Sequence, residues 1–175
     1  LRKQGAEVRV VMTEHAAKFV SPLLFAEISG HKCAVSMWDG RDEFNVEHIA
    51  LANWGDLMLV APATANILAK MACGLADDLL STVLLAAPCP KIVCPAMNTG
   101  MYENVATQEN LKVLEDRGVA IMEPASGELA CGTTGAGRLP EVPEIIAYLE
   151  RFLAQREGDM RGLKVMVTAA GTREP

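Results

Sequence analysis

His48, Asn98 and Cys131 are the side chains best suited to move a proton or grip a small polar ligand, and each stands in a distinctive segment. Asn98 ends the run Lys91-Ile92-Val93-Cys94-Pro95-Ala96-Met97-Asn98, where an apolar stretch breaks at proline and then presents an amide. Proline fixes the backbone and stops the extended run abruptly. An amide at that point either closes an Asx-type turn or holds a ligand, its NH2 on a carboxylate and its oxygen on an N–H. Cys131 lies in Ala130-Cys131-Gly132-Thr133-Thr134-Gly135-Ala136-Gly137-Arg138, where glycines allow a flap to fold tightly over a ligand. A partly exposed thiol there serves as proton donor or nucleophile, or is an incidental loop cysteine. His48 precedes a second apolar run and reads as a general base, a ligand-binding donor or an ordinary structural histidine. Ala61-Pro62-Ala63-Thr64-Ala65-Asn66 joins an apolar run to a helical one, so Thr64, Ala65 and Asn66 offer backbone N–H groups at a helix N-terminus. Such an end suits a phosphate; a plain helix cap has the same sequence.

The elements that must position these residues alternate between strand and helix. Val8–Met12 is a β-branched run that predicts a strand. Ser21 followed by Pro22 predicts an N-cap and first helical residue, with Gly30 as the stop. Residues 36–46 read as a loop, and 47–54 as a helix with Ile49, Leu51 and Ala52 on its inner side. The run Leu57–Ala63 is almost continuously apolar, as expected of a parallel strand buried on both faces. Thr64 caps a helix that ends at Gly74, and 76–87 is a second helix. Strands are expected at 91–94 and 119–122, an amphipathic helix at 106–118 with Leu111 and Leu114 inward, and a final helix at 143–156. Residues 123–141 read as a Gly-rich loop, longer than compact domains ordinarily carry, which points to a functional segment. The alternation implies an α/β fold: a Rossmann-like (flavodoxin-like) parallel sheet with helices on both faces, a three-layer α/β/α. Ligands on such sheets sit beyond the carboxyl ends of the strands, and the segments holding Thr13, Thr64 and Asn98 all follow predicted strands.

Composition narrows the function. The 175 residues are 50% hydrophobic and 22% charged, a globular balance long enough for one substantial core. With 22 acidic side chains against 16 basic ones and a net charge of -6, general nucleic-acid binding is not expected. No apolar run approaches the ~20 residues of a membrane span, and the first ten residues have no signal-peptide core, so a cytoplasmic protein is expected. Five cysteines without a C-x-x-C pair predict neither a disulfide framework nor a zinc site. The Gly-x-x-Gly-x-Gly spacing after Cys131 is not a dinucleotide fingerprint, because it does not join a first strand to its helix.

Taken together, the segments 61–66, Pro95–Asn104 and 130–138 resemble the flavin-dependent cysteine decarboxylase family, in its phosphopantothenoylcysteine decarboxylase branch, over roughly residues 1–157. Residues 163–175 resemble the opening of the synthetase unit fused to bacterial members, with 158–162 as linker. The family usually begins with a further strand and a Gly/Ser-rich turn that helps hold the FMN phosphate, and this sequence lacks that segment before Leu1. It implies bound FMN and the substrate 4'-phosphopantothenoylcysteine, whose thiol carbon FMN oxidises to a thioaldehyde. The C=S group accepts the electrons of decarboxylation, and the ene-thiol is reduced to 4'-phosphopantetheine without net redox change. By the same resemblance, His48 is the base for thiol oxidation, Asn98 holds the substrate carboxylate and amide, and Cys131 donates a proton in the reductive half. Thr13, Phe19, Thr64, Ala65, Asn66, Ile67 and Ala96 match flavin-contacting positions, and Met101 shapes the substrate pocket. Family members form homotrimers or dodecamers with the flavin at a subunit contact, which allows His48 and Asn98 to come from different subunits. A non-catalytic flavin-binding regulatory relative is the alternative within this fold. A flavin prenyltransferase shares the sheet but lacks both the PAMN segment and the ACG flap.

Overall fold

A computed structural model describes residues 1–38, 47–128, 134–155 and 163–169. Its elements are, in order, β1 (Glu7–Met12), α1 (Pro22–Ser29), α2 (Glu47–Trp54), β2 (Leu57–Ala63), α3 (Ala65–Cys73), α4 (Leu79–Ala86), β3 (Lys91–Pro95), α5 (Thr99–Tyr102), α6 (Val105–Asp116), β4 (Ala120–Ile121), β5 (Ala125–Glu128), β6 (Thr134–Arg138), α7 (Val142–Ala154) and β7 (Lys164–Ala169). Five strands form one sheet in the order β1-β7-β2-β3-β4, and every pairing in it is parallel.

Successive strand side chains point to opposite faces, and both faces are buried. Val11, Met58, Val60, Val93 and Met166 meet Leu51, Leu68, Leu80 and Leu111 from helices on one side. Val8, Val10, Leu57, Leu59, Ile92 and Val165 meet Ile145, Leu149 and Leu153 of α7 on the other. The result is the three-layer α/β/α arrangement that the alternation of elements implied. Each fully buried Leu or Met here contributes about 1.5–3 kcal/mol relative to leaving it in water.

Local signals account for the helix ends. Ser21 Oγ accepts the Leu23 N–H at 3.3 Å at the start of α1, and Pro22 occupies the first turn. Asp78 closes a capping box with Ser81 at the start of α4. Two expectations need correction. Ile49 is 42% exposed, whereas Leu51 and Ala52 are buried, so the inner side of α2 does not include residue 49. The stretch 123–141 is not loop throughout: β5 and β6 pair as an antiparallel hairpin that stands apart from the main sheet. Glycines mask its strand pattern, because they carry no side chain whose alternation can be read.

Residues 163–175 were expected to open a second unit. The structure places Lys164–Ala169 in the centre of this sheet, between β1 and β2. Val165 and Met166 are buried on opposite faces, as a central parallel strand requires. Its first residues are pinned from both sides: Glu7 N–H donates to Leu163 O at 3.0 Å, Asp56 N–H to Lys164 O at 2.7 Å, and Lys164 N–H to Asp56 Oδ2 at 2.8 Å.

Candidate active site

The carboxyl ends of β1, β2 and β3 open onto a cavity of about 890 Å³. Its walls include Thr13 and Phe19 after β1, Thr64, Ala65, Asn66 and Ile67 after β2, and Ala96, Asn98 and Met101 after β3. Each of these positions was singled out from sequence. The two later segments are tied together directly, since Ala96 N–H donates to Ala63 O at 3.0 Å.

Thr64 is the N-cap of α3, and its Oγ1 accepts the Ile67 N–H at 3.3 Å. Ala65 and Asn66 are the first two residues of that helix, so no intrahelical carbonyl serves their N–H groups. Both residues line the cavity, together with the apolar Phe19, Ile67, Ala96, Met97 and Met101 and the charged Glu14, Lys18, Lys70, Asp77 and Asp78. Thr13 Oγ1 accepts the Ala16 N–H at 3.0 Å and holds the turn that carries Phe19. This donor set suits a flat, apolar ring system with hydrogen-bond acceptors along its edge. Replacing Thr64 by Ala removes the cap and is expected to cost about 1 kcal/mol, lowering the melting temperature by several degrees in a thermal unfolding curve.

Asn98 caps the short helix α5, its Oδ1 accepting the Gly100 N–H at 2.9 Å. The Asx-type turn and the ligand role are therefore compatible. The backbone engages the oxygen end of the amide, which fixes the plane of the whole group at the cavity wall. Tyr102 N–H donates to Asn98 O at 2.9 Å, and Tyr102 Oη donates to Glu123 Oε2 at 2.5 Å, tying the turn to the segment after β4. Burial, and then the Glu123 carboxylate, push the Tyr102 hydroxyl well above its ordinary range, so it stays a donor.

Sequence reasoning missed a polar cluster on the same cavity wall. Lys70 lies one helical turn beyond Asn66 and Ile67, and its Nζ contacts Asp77 Oδ1 at 2.5 Å and Asp78 Oδ2 at 2.6 Å. The spacing from Asn66 to Lys70 was the available signal, since residues four apart share a helix face. Burial pulls the Lys70 ammonium down, but the hydrogen bonds to Asp77 and Asp78 outweigh it and the net shift is upward. Burial likewise raises the Asp78 carboxyl, and hydrogen bonds from Lys70 and Ser81 outweigh it, holding it below the usual carboxylate range. The stabilisation from Asp78 is thus complete above its unfolded pKa of about 3.9 and is lost as pH falls through the lower folded value. That from Lys70 is complete below about 10.4 and is lost as pH rises through its raised folded value. Asp78→Asn keeps a capping side chain but removes the charge. Its melting temperature is expected to lie below wild type at neutral pH and to converge with it in acid, as followed by circular dichroism.

His48 is half-buried near the start of α2 and does not line this cavity. Cys131 lies outside the described residues. Burial pushes the Cys33 thiol up to about 11 and the Cys94 thiol up to about 12, which makes both small, inert core residues. Cys73 is exposed and Cys89 is half-buried.

The Flavoprotein family model matches residues 1–154 of this chain. The chain belongs to the flavoprotein family. This flavoprotein is 45% identical over 174 residues to the coenzyme A biosynthesis bifunctional protein CoaBC of Vibrio vulnificus, a match covering 99% of this chain and 43% of the relative. The chain therefore spans less than half the length of the curated relatives it matches. Among solved structures it resembles the FMN-dependent cysteine decarboxylase SpaF, with 35% identity, a TM-score of 0.67, and coverage of 80% of this chain and 75% of that one. It also resembles a mutant PPC decarboxylase complexed with pantothenoylaminoethenethiol, with 28% identity, a TM-score of 0.67, and coverage of 86% and 99%. The flavoprotein's three-layer sheet is thus the fold of these decarboxylases.

Proposed function

We propose that this chain is the decarboxylase part of a bifunctional coenzyme A biosynthesis protein, which binds FMN and converts 4'-phosphopantothenoylcysteine to 4'-phosphopantetheine and CO2. One observation carries the reading: the Thr64 helix end and the Ala96–Asn98 turn share one cavity wall and are tied by the Ala96–Ala63 hydrogen bond. The residues present fit the cofactor. An apolar lining of Phe19, Ile67, Ala96 and Met101 suits the isoalloxazine ring, and the Ala65 and Asn66 amides with Thr13 suit its polar edge and tail. FMN, when bound, supplies a two-electron oxidation of the substrate's cysteine end and returns the same two electrons after CO2 has left.

The chain's own residues orient and protonate. The Asn98 NH2 group donates to the departing carboxylate, and Met101 packs beside the substrate. Cys131 gives a proton to the decarboxylated product as it is reduced. His48 accepts the substrate's proton at the start. Because it stands away from this chain's cavity, we place it in the site of a neighbouring subunit, in a homotrimer or a dodecamer built from trimers. The remaining length of such a protein carries the phosphopantothenate–cysteine ligase activity, reached through the linker 158–162. Residues 163–175 open that unit in sequence, and here their strand also completes the sheet of the first. No described helix is long and apolar enough to cross a membrane, and we place the enzyme in the cytoplasm.

The test uses full-length, FMN-loaded protein incubated with 4'-phosphopantothenoylcysteine. Stoichiometric CO2 and 4'-phosphopantetheine are expected without added nicotinamide. A yellow, correctly assembled protein that releases no CO2 would show a flavin-binding relative without catalysis.

A further inference from the structure

We propose that strand β6 is the positioning element for Asn98 and that Gly135 and Gly137 are the residues that let it dock. The inference rests on the reading above, in which Asn98 holds the substrate carboxylate. Met97 and Thr99, the residues on either side of Asn98, each rest on one of these glycines. Met97 N–H donates to Gly137 O at 2.9 Å. A Cβ on Gly137 would collide with the Met97 carbonyl oxygen, and its φ of 142° is a conformation that L side chains rarely adopt. A Cβ on Gly135 would lie 2.5 Å from Thr99 Oγ1 and 2.8 Å from Thr99 Cγ2. Residues two apart share a strand face, so the two glycines form one bare backbone surface. The turn lies on that surface, while Asn98 between the two contacts faces the cavity.

Two further features fit a docking role. Thr99 Oγ1 is buried with no hydrogen-bond partner among the described residues, so its contact with Gly135 is one of shape. Arg138, the last residue of β6, pairs with Glu141, which closes the capping box of α7; the strand is thereby held to a rigid element. The Gly-x-Gly spacing at 135–137 thus has a structural purpose: it brings backbone against backbone beside the residue that grips substrate.

The clash at Gly135 is with a side chain, and that makes the proposal testable by rescue. In full-length, FMN-loaded protein, Gly135→Ala is expected to raise the substrate KM about tenfold or more, at unchanged flavin content. Exchange of the Met97 amide with deuterium should accelerate by a similar factor, because its bond to Gly137 is loosened. Adding Thr99→Ala removes Oγ1 and Cγ2 and leaves only Cβ, at 3.2 Å. The double variant should return both readings to within about threefold of Thr99→Ala alone. Gly137→Ala meets backbone and should not be rescued by the same change. A wild-type KM and amide exchange in Gly135→Ala, or a folded double variant that stays impaired, would overturn the proposal. If Gly135→Ala does not fold, a folded and active double variant supports the docking and an unfolded one refutes it. Should wild type release no CO2, the decarboxylase reading fails, while the amide exchange still decides whether the glycines seat the turn.

Discussion

Asn98→Asp is expected to lose about a hundredfold or more in kcat/KM for 4'-phosphopantothenoylcysteine while retaining wild-type FMN content, because a second carboxylate faces the substrate's own. The fold should tolerate the change. Asp is as good an N-cap as Asn, so the bond now made by Asn98 Oδ1 to the Gly100 N–H is preserved. The exchange replaces an NH2 donor with a charged acceptor of nearly the same size. Flavin absorbance and a thermal melt monitor the scaffold, and substrate saturation curves monitor the site. Asn98→Ala is the informative comparison: it removes the donor and also the cap, so it should combine weaker binding with about 1 kcal/mol of lost stability. A normal KM in Asn98→Asp would remove Asn98 from the substrate site, whatever the cofactor does.

The largest structural effect is expected from ending this chain at Gln155. The lost strand β7 pairs with β1 along six residues and with β2 along four, so its removal divides the sheet. Val165 and Met166 leave their buried positions in the two cores, and two strand edges lose their partner. Burial of those side chains alone is worth about 1.5–3 kcal/mol each, against a total domain stability of about 5–15 kcal/mol. Unpaired buried N–H and C=O groups add to the loss. The shortened chain should show no cooperative melt by circular dichroism and should aggregate. Met166→Asp, which puts a charge at a position with no exposure, should have the same outcome in the intact chain. A cooperative melt at the wild-type temperature for the shortened chain would mean that β7 is not integral to this sheet.

Much of the architecture was legible because the relevant forces are local. Ser21-Pro22 and Thr64 announced helix starts, since a cap needs only a side chain two or three residues from the amide it serves. The run Leu57–Ala63 announced a buried parallel strand, since burial on both faces removes polar alternation. The ring of candidate residues on the strand ends followed from those assignments, and Thr13, Thr64, Ala96 and Asn98 do share one cavity. Ile49 was misjudged because a helix of eight residues carries apolar side chains on more of its circumference than its neighbours cover. The hairpin of β5 and β6 was not legible, because glycine leaves no periodicity to read.

The amino-acid sequence by itself determined the strands of the main sheet, the longer helices with their capped ends, the family and the identity of the residues available for chemistry. Tertiary structure alone decided which strand fills the middle of the sheet, that Lys70 meets Asp77 and Asp78 on the cavity wall, and that His48 stands apart from the Asn98 cavity. The physical reason is range. Caps and alternation act over a few residues, whereas strand order and the seating of the 97–99 turn on Gly135 and Gly137 depend on contacts between segments far apart in the chain. Such contacts form only where two complementary surfaces meet, and neither segment encodes its partner's position alone.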